Sequence, residues 1–127
     1  MSSFLDLFGL KRRREERVKV GWLVDARLRA SEQYVGFHAC DVSVSGLRLS
    51  AALAADFERA IDRGRLGLLL RVPGNAGALE AEAEVRWQRV EEGRALLGCE
   101  FRRPSRELRR LLEGYISAHP EDVVAPD

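Results

Sequence analysis

The chain has 127 residues, of which 46% are hydrophobic and 32% are charged, a balance typical of one globular domain rather than a disordered segment. Its formal net charge is +1, so no overall field attracts the molecule to DNA or to an anionic membrane. No apolar run is long enough to cross a bilayer, and the two cysteines are too few for the disulfide framework of a small secreted protein. We therefore expect a soluble, cytoplasmic protein.

The N-terminal region combines a short apolar segment, residues 1–10, with a basic run at 11–17. Such a combination can bind a membrane surface, but this apolar segment is short for that role. A tail or short helix that covers the domain is the favoured interpretation. We expect the folded domain to span residues 11–118 and a second tail to span 119–127.

From residue 17 onward, apolar and polar residues alternate with a period of two, which predicts β-strands with one buried face. In the first strand the alternation runs from Val18 to Leu28. In the fifth it places Trp87 in the apolar row, opposite a row of glutamates that is typical of a solvated strand face. The predicted strands are 17–29, 34–44, 47–50, 65–72, 79–90 and 95–101.

Two segments favour helix. Residues 51–62 are rich in alanine and predict a helical turn between the third and fourth strands. A longer helix begins after Pro104 and Ser105 and ends near His119, because its leucines, Tyr115 and Ile116 follow a 3.6-residue period. Six strands with short connections, each apolar on one face, can bury those faces by closing into a small barrel. The expected fold is therefore mainly β, a six-stranded antiparallel barrel with a C-terminal α-helix.

Catalytic and metal sites have no candidate in the sequence. His38 and His119 are far apart and lack cysteine or carboxylate neighbours at metal-ligand spacing. Cys40 and Cys99 fall within predicted strands, as small buried residues do, although the two strands could bring them together. We expect no enzymatic activity, no metal and no cofactor.

One motif that does carry chemistry lies where the N-terminal tail meets the first strand. It places Arg13 four residues before Arg17, with Arg12 and Arg14 alongside. Guanidinium groups on a segment anchored at one end can fork onto phosphate oxygens or onto the acceptor edge of guanine. A solvated charged run is the alternative interpretation.

The second motif has the form Asp-x-Ser-x-x-Gly and ends the second predicted strand. Asp41 and Ser43 share a face of an extended strand, and the carboxylate can accept hydrogen bonds from the Watson–Crick edge of guanine. Gly46 permits a positive φ and a close backbone approach. An ordinary turn would have the same composition, but together the two motifs fit a ligand that contains both guanines and phosphates.

With these two motifs the chain resembles the PilZ domain family, bacterial receptors for the second messenger cyclic di-GMP. The resemblance covers residues 12 to about 117 and implies a six-stranded barrel with the ligand on its outer surface. It assigns ligand contacts to Arg12, Arg13, Arg17, Asp41, Ser43 and Gly46. It also suggests that Arg14 helps to hold a second ligand molecule and that Trp87 flanks a base, although the apolar row equally favours a core position for Trp87.

The function that this resemblance implies is a cyclic di-GMP effector, and we expect a monomer because the sequence has no heptad or similar dimer signal. Ordering of the arginine segment would change a surface recognised by an unidentified partner protein. The alternative is a PilZ-type protein-interaction adaptor that does not bind the nucleotide. A small RNA-binding barrel is a third possibility, which the near-neutral charge and the absence of an aromatic row disfavour. We therefore expect no nucleic-acid polymer as partner, and the number of bound ligand molecules stays open.

Overall fold

The computed structural model describes residues 15–28, 34–52 and 64–124. The predictions for the segment 1–10, for the arginines at 12–14 and for a helical turn beyond Ala52 lie outside these residues. Among the described residues, no helix is both long and apolar enough to span a bilayer.

Six antiparallel strands close into a barrel in the order β1–β2–β3–β6–β5–β4, which confirms the predicted fold class. Closure comes from the pairing of β4 with β1, so each strand pairs with a neighbour on both sides over part of its length. The strands are β1 Val18–Leu28, β2 Tyr34–Val42, β3 Gly46–Ala52, β4 Arg65–Leu70, β5 Leu79–Glu91 and β6 Arg94–Arg102.

Alternate residues of the strands fill the barrel interior, as the period of two predicts. The buried set consists of aliphatic side chains and alanines together with Phe37, Phe101, Trp22 and Cys99. Its largest fully buried members are Phe37, Leu47, Leu49, Leu68, Leu70, Leu97, Leu108, Leu112, Val18, Val24, Val42 and Val72.

Register shifts interrupt this alternation in three strand pairs and change which residues face outward. In β2 the shift falls between Ala39 and Asp41, so Cys40 is the extra residue opposite β3. In β5 it falls between Val85 and Trp87, so Arg86 is the extra residue opposite β6. A third shift lies early in β1. The shifts in β2 and β5 move the following side chains to the opposite face from the one that simple alternation predicts, whereas β1 keeps its predicted inward row of Val18, Trp22, Val24 and Ala26.

A helix of 13 residues, α1 (Arg106–Ala118), packs its apolar face onto the barrel core through Leu108, Leu112 and Ile116. It begins at Ser105, whose Oγ accepts the backbone N–H of Leu108 at 3.0 Å. This stripe is the predicted one.

The segment after α1, for which the sequence predicts a frayed tail, contacts the start of β1 through Val123 and Val124. A short turn, Pro120–Asp122, is followed by Val123, which forms an antiparallel bridge with Val18. The backbone N–H of Val124 donates to the carbonyl oxygen of Arg17 at 2.7 Å. The C-terminal segment therefore pairs with the residues that begin β1.

Candidate functional site

A buried carboxylate with two arginine partners forms the centre of the candidate site. The Nε of Arg17 donates to Oδ1 of Asp41 at 3.0 Å, and Arg17 Nη2 lies 2.8 Å from the same oxygen. Arg48 binds the other oxygen, Oδ2, with Nε at 2.9 Å and Nη2 at 2.5 Å. The Asp41 side chain is 3% exposed, whereas those of Arg17 and Arg48 are 46% and 33% exposed. The carboxylate is thus covered by two guanidiniums whose outer sides face solvent.

Strand register explains why these three residues meet. Asp41 is the cross-strand neighbour of Arg48 in β3, and both point to the outside of the barrel because Cys40 is the extra residue in β2. Arg17 immediately precedes β1, which pairs with β2 on the other side. The two guanidiniums therefore reach Asp41 from the two neighbours of β2, one from the residue before β1 and one from β3.

The turn between β2 and β3 contains the rest of the second motif. The backbone N–H of Ser43 donates to the carbonyl oxygen of Gly46 at 2.8 Å. The Ser43 hydroxyl is buried and accepts the N–H of Ser45 at 3.3 Å. The Ser45 hydroxyl in turn donates to the carboxylate of Glu15. Ser43 thus shapes the turn, and Glu15 is held against it.

Gly46 does not adopt the positive φ that the sequence suggested. Glycine is needed at this position for a different reason. A Cβ at this position would lie 2.1 Å from the carbonyl oxygen of Cys99 in β6. The close approach of two backbones, which was the other part of the expectation, accounts for glycine here.

Trp87 lies on the outer surface, so the core interpretation from the sequence is wrong for this residue. It is 41% exposed, and its indole occupies the space beside Gly98 where a Cβ would be 2.1 Å from Nε1. The guanidinium of Arg89 lies over the ring, 5.1 Å from its centroid. The extra residue, Arg86, also points outward, where a hydrogen bond to Glu100 raises the pKa of its guanidinium.

One cross-strand row connects Trp87 with the Asp41 cluster. Asp41 pairs with Arg48, Arg48 with Gly98, and Gly98 with Trp87. Neighbouring strands lie about 4.8 Å apart, so the row spans about 14 Å of the outer surface. This part of the outer surface therefore contains, side by side, a buried carboxylate with its two guanidiniums and an exposed indole.

Of the residues predicted as a site, the structure therefore brings Arg17, Asp41, Ser43 and Gly46 together and places Trp87 on the same row. Arg12, Arg13 and Arg14 lie outside the described residues, and their assignment stays a prediction. Sequence reasoning missed Arg48. Its signal was the alternation in Leu47-Arg48-Leu49, which points Arg48 outward from a strand that follows the Asp41 turn.

The two cysteines lie in different strands that are not neighbours, and both are free thiols. Burial raises the pKa of Cys99 to about 12. Cys40, at the irregularity in β2, is only half-buried. Among the residues that the structure describes, no group of three or more His, Cys, Asp or Glu side chains could hold a metal ion.

We expect Cys99 to resist alkylation in the native protein at neutral pH, because the thiolate is the reactive form and hardly exists so far below its pKa. Mass spectrometry after brief treatment with iodoacetamide should find Cys40 modified in preference to Cys99. In denaturant both cysteines should be modified at similar rates. Equal rates in the native protein would contradict the burial of Cys99.

A comparison with protein families matches the PilZ domain over residues 11–118. No curated protein sequence matches the chain. Similar solved structures include the Bacillus subtilis inhibitor of motility MotI/DgrA, with a TM-score of 0.70, 19% identity and coverage of 87% of this chain and 51% of that one. The chain spans about half the length of that protein.

Two further similar structures are complexes with cyclic di-GMP. The PilZ domain of Escherichia coli YcgR has a TM-score of 0.65 and 19% identity, with 87% of this chain and 92% of that one covered. The Klebsiella pneumoniae MrkH complex has a TM-score of 0.64 and 16% identity, with 87% and 52% covered. At these identities the likeness is one of fold.

Proposed function

Because the chain belongs to the PilZ domain family, we propose that it is a cyclic di-GMP receptor that signals to a partner protein through ordering of its arginine segment, residues 12–17. The observation that carries this function is the Asp41 carboxylate with one guanidinium on each oxygen. The cyclic di-GMP complexes of the E. coli and K. pneumoniae proteins support the choice of ligand. No reaction is assigned to the chain.

The chemistry of the ligand matches the exposed side of this cluster. Cyclic di-GMP carries two phosphate charges and two guanine bases. Arg17 and Arg48 each use the Nε and Nη2 edge to bind Asp41, so the Nη1 end and the face of each guanidinium remain for a ligand. Those groups can fork onto phosphate oxygens or onto guanine acceptors, or stack on a base.

Asp41 acts in this proposal by positioning the two guanidiniums. Its carboxylate is buried and both oxygens already accept from arginine, so its negative charge holds the two side chains in defined orientations before the ligand arrives. Such preorganisation lowers the entropy lost on binding. Ser43 and Gly46 fix the turn that sets the position of Asp41, and the indole of Trp87 offers a surface for a base along the same row.

The arginine segment is attached to a fixed point, which supports its role as the responsive element. Arg17 is held through its side chain by Asp41 and through its carbonyl oxygen by the N–H of Val124. Ordering the residues before it costs about 1–2 kcal/mol each. Charge-assisted hydrogen bonds contribute about 1.5–3 kcal/mol each and can offset that cost. An ordered segment beside the C-terminal residues would present a new surface to a partner.

Calorimetric titration of the protein with cyclic di-GMP tests this function directly, with GMP and cyclic di-AMP as controls. We expect saturable binding that is selective for cyclic di-GMP, and the stoichiometry will show whether one or two molecules bind. Absence of heat together with absence of thermal stabilisation at high ligand concentration would refute the receptor function and favour the adaptor.

Replacing Arg17 with alanine should weaken cyclic di-GMP binding about tenfold, because the ligand loses a charge-assisted partner and Asp41 loses one of its guanidiniums. The melting temperature should change little, since the Arg17 side chain is half exposed. Arg71→Ala is a matched control: Arg71 pairs with Asp25 at 3.1 Å on the exposed surface. Unchanged affinity in Arg17→Ala, or an equal loss in Arg71→Ala, would remove Arg17 from the site.

A further inference from the structure

A second arginine-rich surface lies where β6 leads into α1, and it shares no residue with the Asp41 cluster. It is a groove of about 540 Å³ on the outside of β1, β4 and β5. We call it the basic groove, and the residues that matter for the argument are Arg27, Arg65, Gly67, Glu82, Arg102 and Arg103.

The basic groove is deep at its centre because the middle of a cross-strand row is occupied by a glycine, which has no side chain. Arg27 pairs with Gly67, Gly67 with Glu82, and Glu82 with Arg102. The guanidinium of Arg27 lies against Gly67 and over the ring of Tyr34, 5.8 Å from its centroid. Arginines therefore lie at both ends of this row, and the side chains of another molecule can lie across the space above Gly67.

No carboxylate partner of the groove arginines lies within the described parts of the chain. Among the residues that the structure describes, the ion pairs are formed by other arginines, and Glu82 makes none even with its neighbour Arg102. Arg27, Arg65 and Arg103 are exposed, and Arg102 is half-buried. Their hydrogen-bonding edges are thus available to carboxylates from another molecule.

The positive surface continues onto the helix. A second depression, of about 380 Å³, shares Pro104 with the basic groove and is lined by three arginines and one glutamate: Arg106, Arg109, Arg110 and Glu113. The stretch 102–110 contains five arginines and one glutamate. This is a strong local charge in a chain whose net charge is +1.

Arg103 adopts a backbone conformation that its residue type disfavours. Its φ is +46°, in the left-handed region that glycine adopts without strain. An arginine at the turn between β6 and α1 therefore lowers stability relative to glycine. Such outliers concentrate at functional sites, which points to a role for the guanidinium itself.

The charge pattern distinguishes between classes of partner. Glu80 and Glu82 line the same groove as the arginines, so a continuous phosphate backbone laid along it would meet like charges. A peptide can place carboxylates on the arginines and keep neutral residues opposite the glutamates. At the groove, β4 pairs with β1 on one side and with β5 on the other, so it offers no free edge for an added strand and a partner must bind through side chains.

We propose that the basic groove and the adjoining face of α1 bind an acidic segment of a partner protein, whose carboxylates pair with Arg65, Arg102 and Arg103. The geometry of this surface is separate from the Asp41 cluster, and the binding does not depend on cyclic di-GMP.

Fluorescence anisotropy with a labelled glutamate-rich peptide, without nucleotide, tests this inference. We expect saturable binding at low ionic strength that weakens as salt is added. Arg102→Gln and Arg103→Gly should each weaken it about tenfold, whereas Arg71→Gln, which removes one exposed positive charge elsewhere, should leave it nearly unchanged. Arg103→Gly should melt at the same or a higher temperature, because glycine relieves the strained φ, so lost binding cannot be attributed to unfolding.

Three results would overturn the inference: no binding of the peptide, an equal loss in Arg71→Gln, or tighter binding of a labelled oligonucleotide through the same arginines. Because the measurement contains no cyclic di-GMP, these failures are distinct from a failure of the receptor function.

Discussion

Replacing Gly46 with alanine is expected to cause a large loss of stability. The new Cβ would lie 2.1 Å from the carbonyl oxygen of Cys99 and 3.2 Å from its carbonyl carbon. Both atoms belong to the backbone of β6, so no side-chain rotation can relieve the contact, and β3 must move away from its partner. Overpacking of this kind costs about 3 kcal/mol, which should lower the melting temperature by about 10 °C.

Gly36→Ala is the matched control, because Gly36 lies in β2 and a Cβ there would meet nothing within 4 Å. Alanine in an open strand position should maintain or slightly raise the melting temperature. Circular dichroism on heating compares the three proteins. If Gly46→Ala and Gly36→Ala melt together, the close approach of β3 to β6 is not what requires glycine in this motif.

The sequence predicted the strands well because their alternation is a local signal. The period of two is visible within the sequence of each strand alone, without knowledge of its partners. The predicted strand ends agreed with the observed ones to within a few residues. The C-terminal helix was equally clear from its apolar stripe. The pairing of Val123 with Val18 was missed because it depends on two segments at opposite ends of the chain.

The position of Trp87 shows where the local signal fails. Counting alternate residues from Leu79 places the indole in the core, but the extra residue at Arg86 shifts the register by one and turns Trp87 outward. Nothing in the sequence around Arg86 marks the irregularity. Gly98 was the available hint, since only a residue without a side chain leaves room for the indole.

The site itself was predictable in parts but not as an assembly. Arg17 and Asp41 were recognised in separate motifs, and that they bind each other follows only from the pairing of β1 with β2. Arg48 required the register of the β2–β3 hairpin, which the irregularity at Cys40 shifts by one residue. Contacts across strands are set by register, and register is decided by the whole barrel rather than by one segment.

Replacing Asp41 with asparagine should affect ligand binding more than loss of either arginine. The amide keeps the shape but removes the charge, and its NH₂ group faces a guanidinium that has no acceptor to offer. Arg17 and Arg48 both lose their alignment, so we expect cyclic di-GMP affinity to fall about a hundredfold. The cost to folding should be smaller, about 2 kcal/mol, because both arginines can turn toward solvent. Calorimetry well below the melting temperature separates the two effects.

The positioning role predicts a specific failure of additivity. In the native protein Arg48→Ala removes an aligned guanidinium, whereas in Asp41→Asn the same change removes one that is no longer aligned and should therefore weaken binding less. Asp25→Asn, which breaks the exposed pair with Arg71, is the control and should leave both the affinity and this coupling unchanged. If Arg48→Ala weakens binding by the same factor with and without the Asp41 carboxylate, then Asp41 does not position Arg48, and each residue contributes to the site independently.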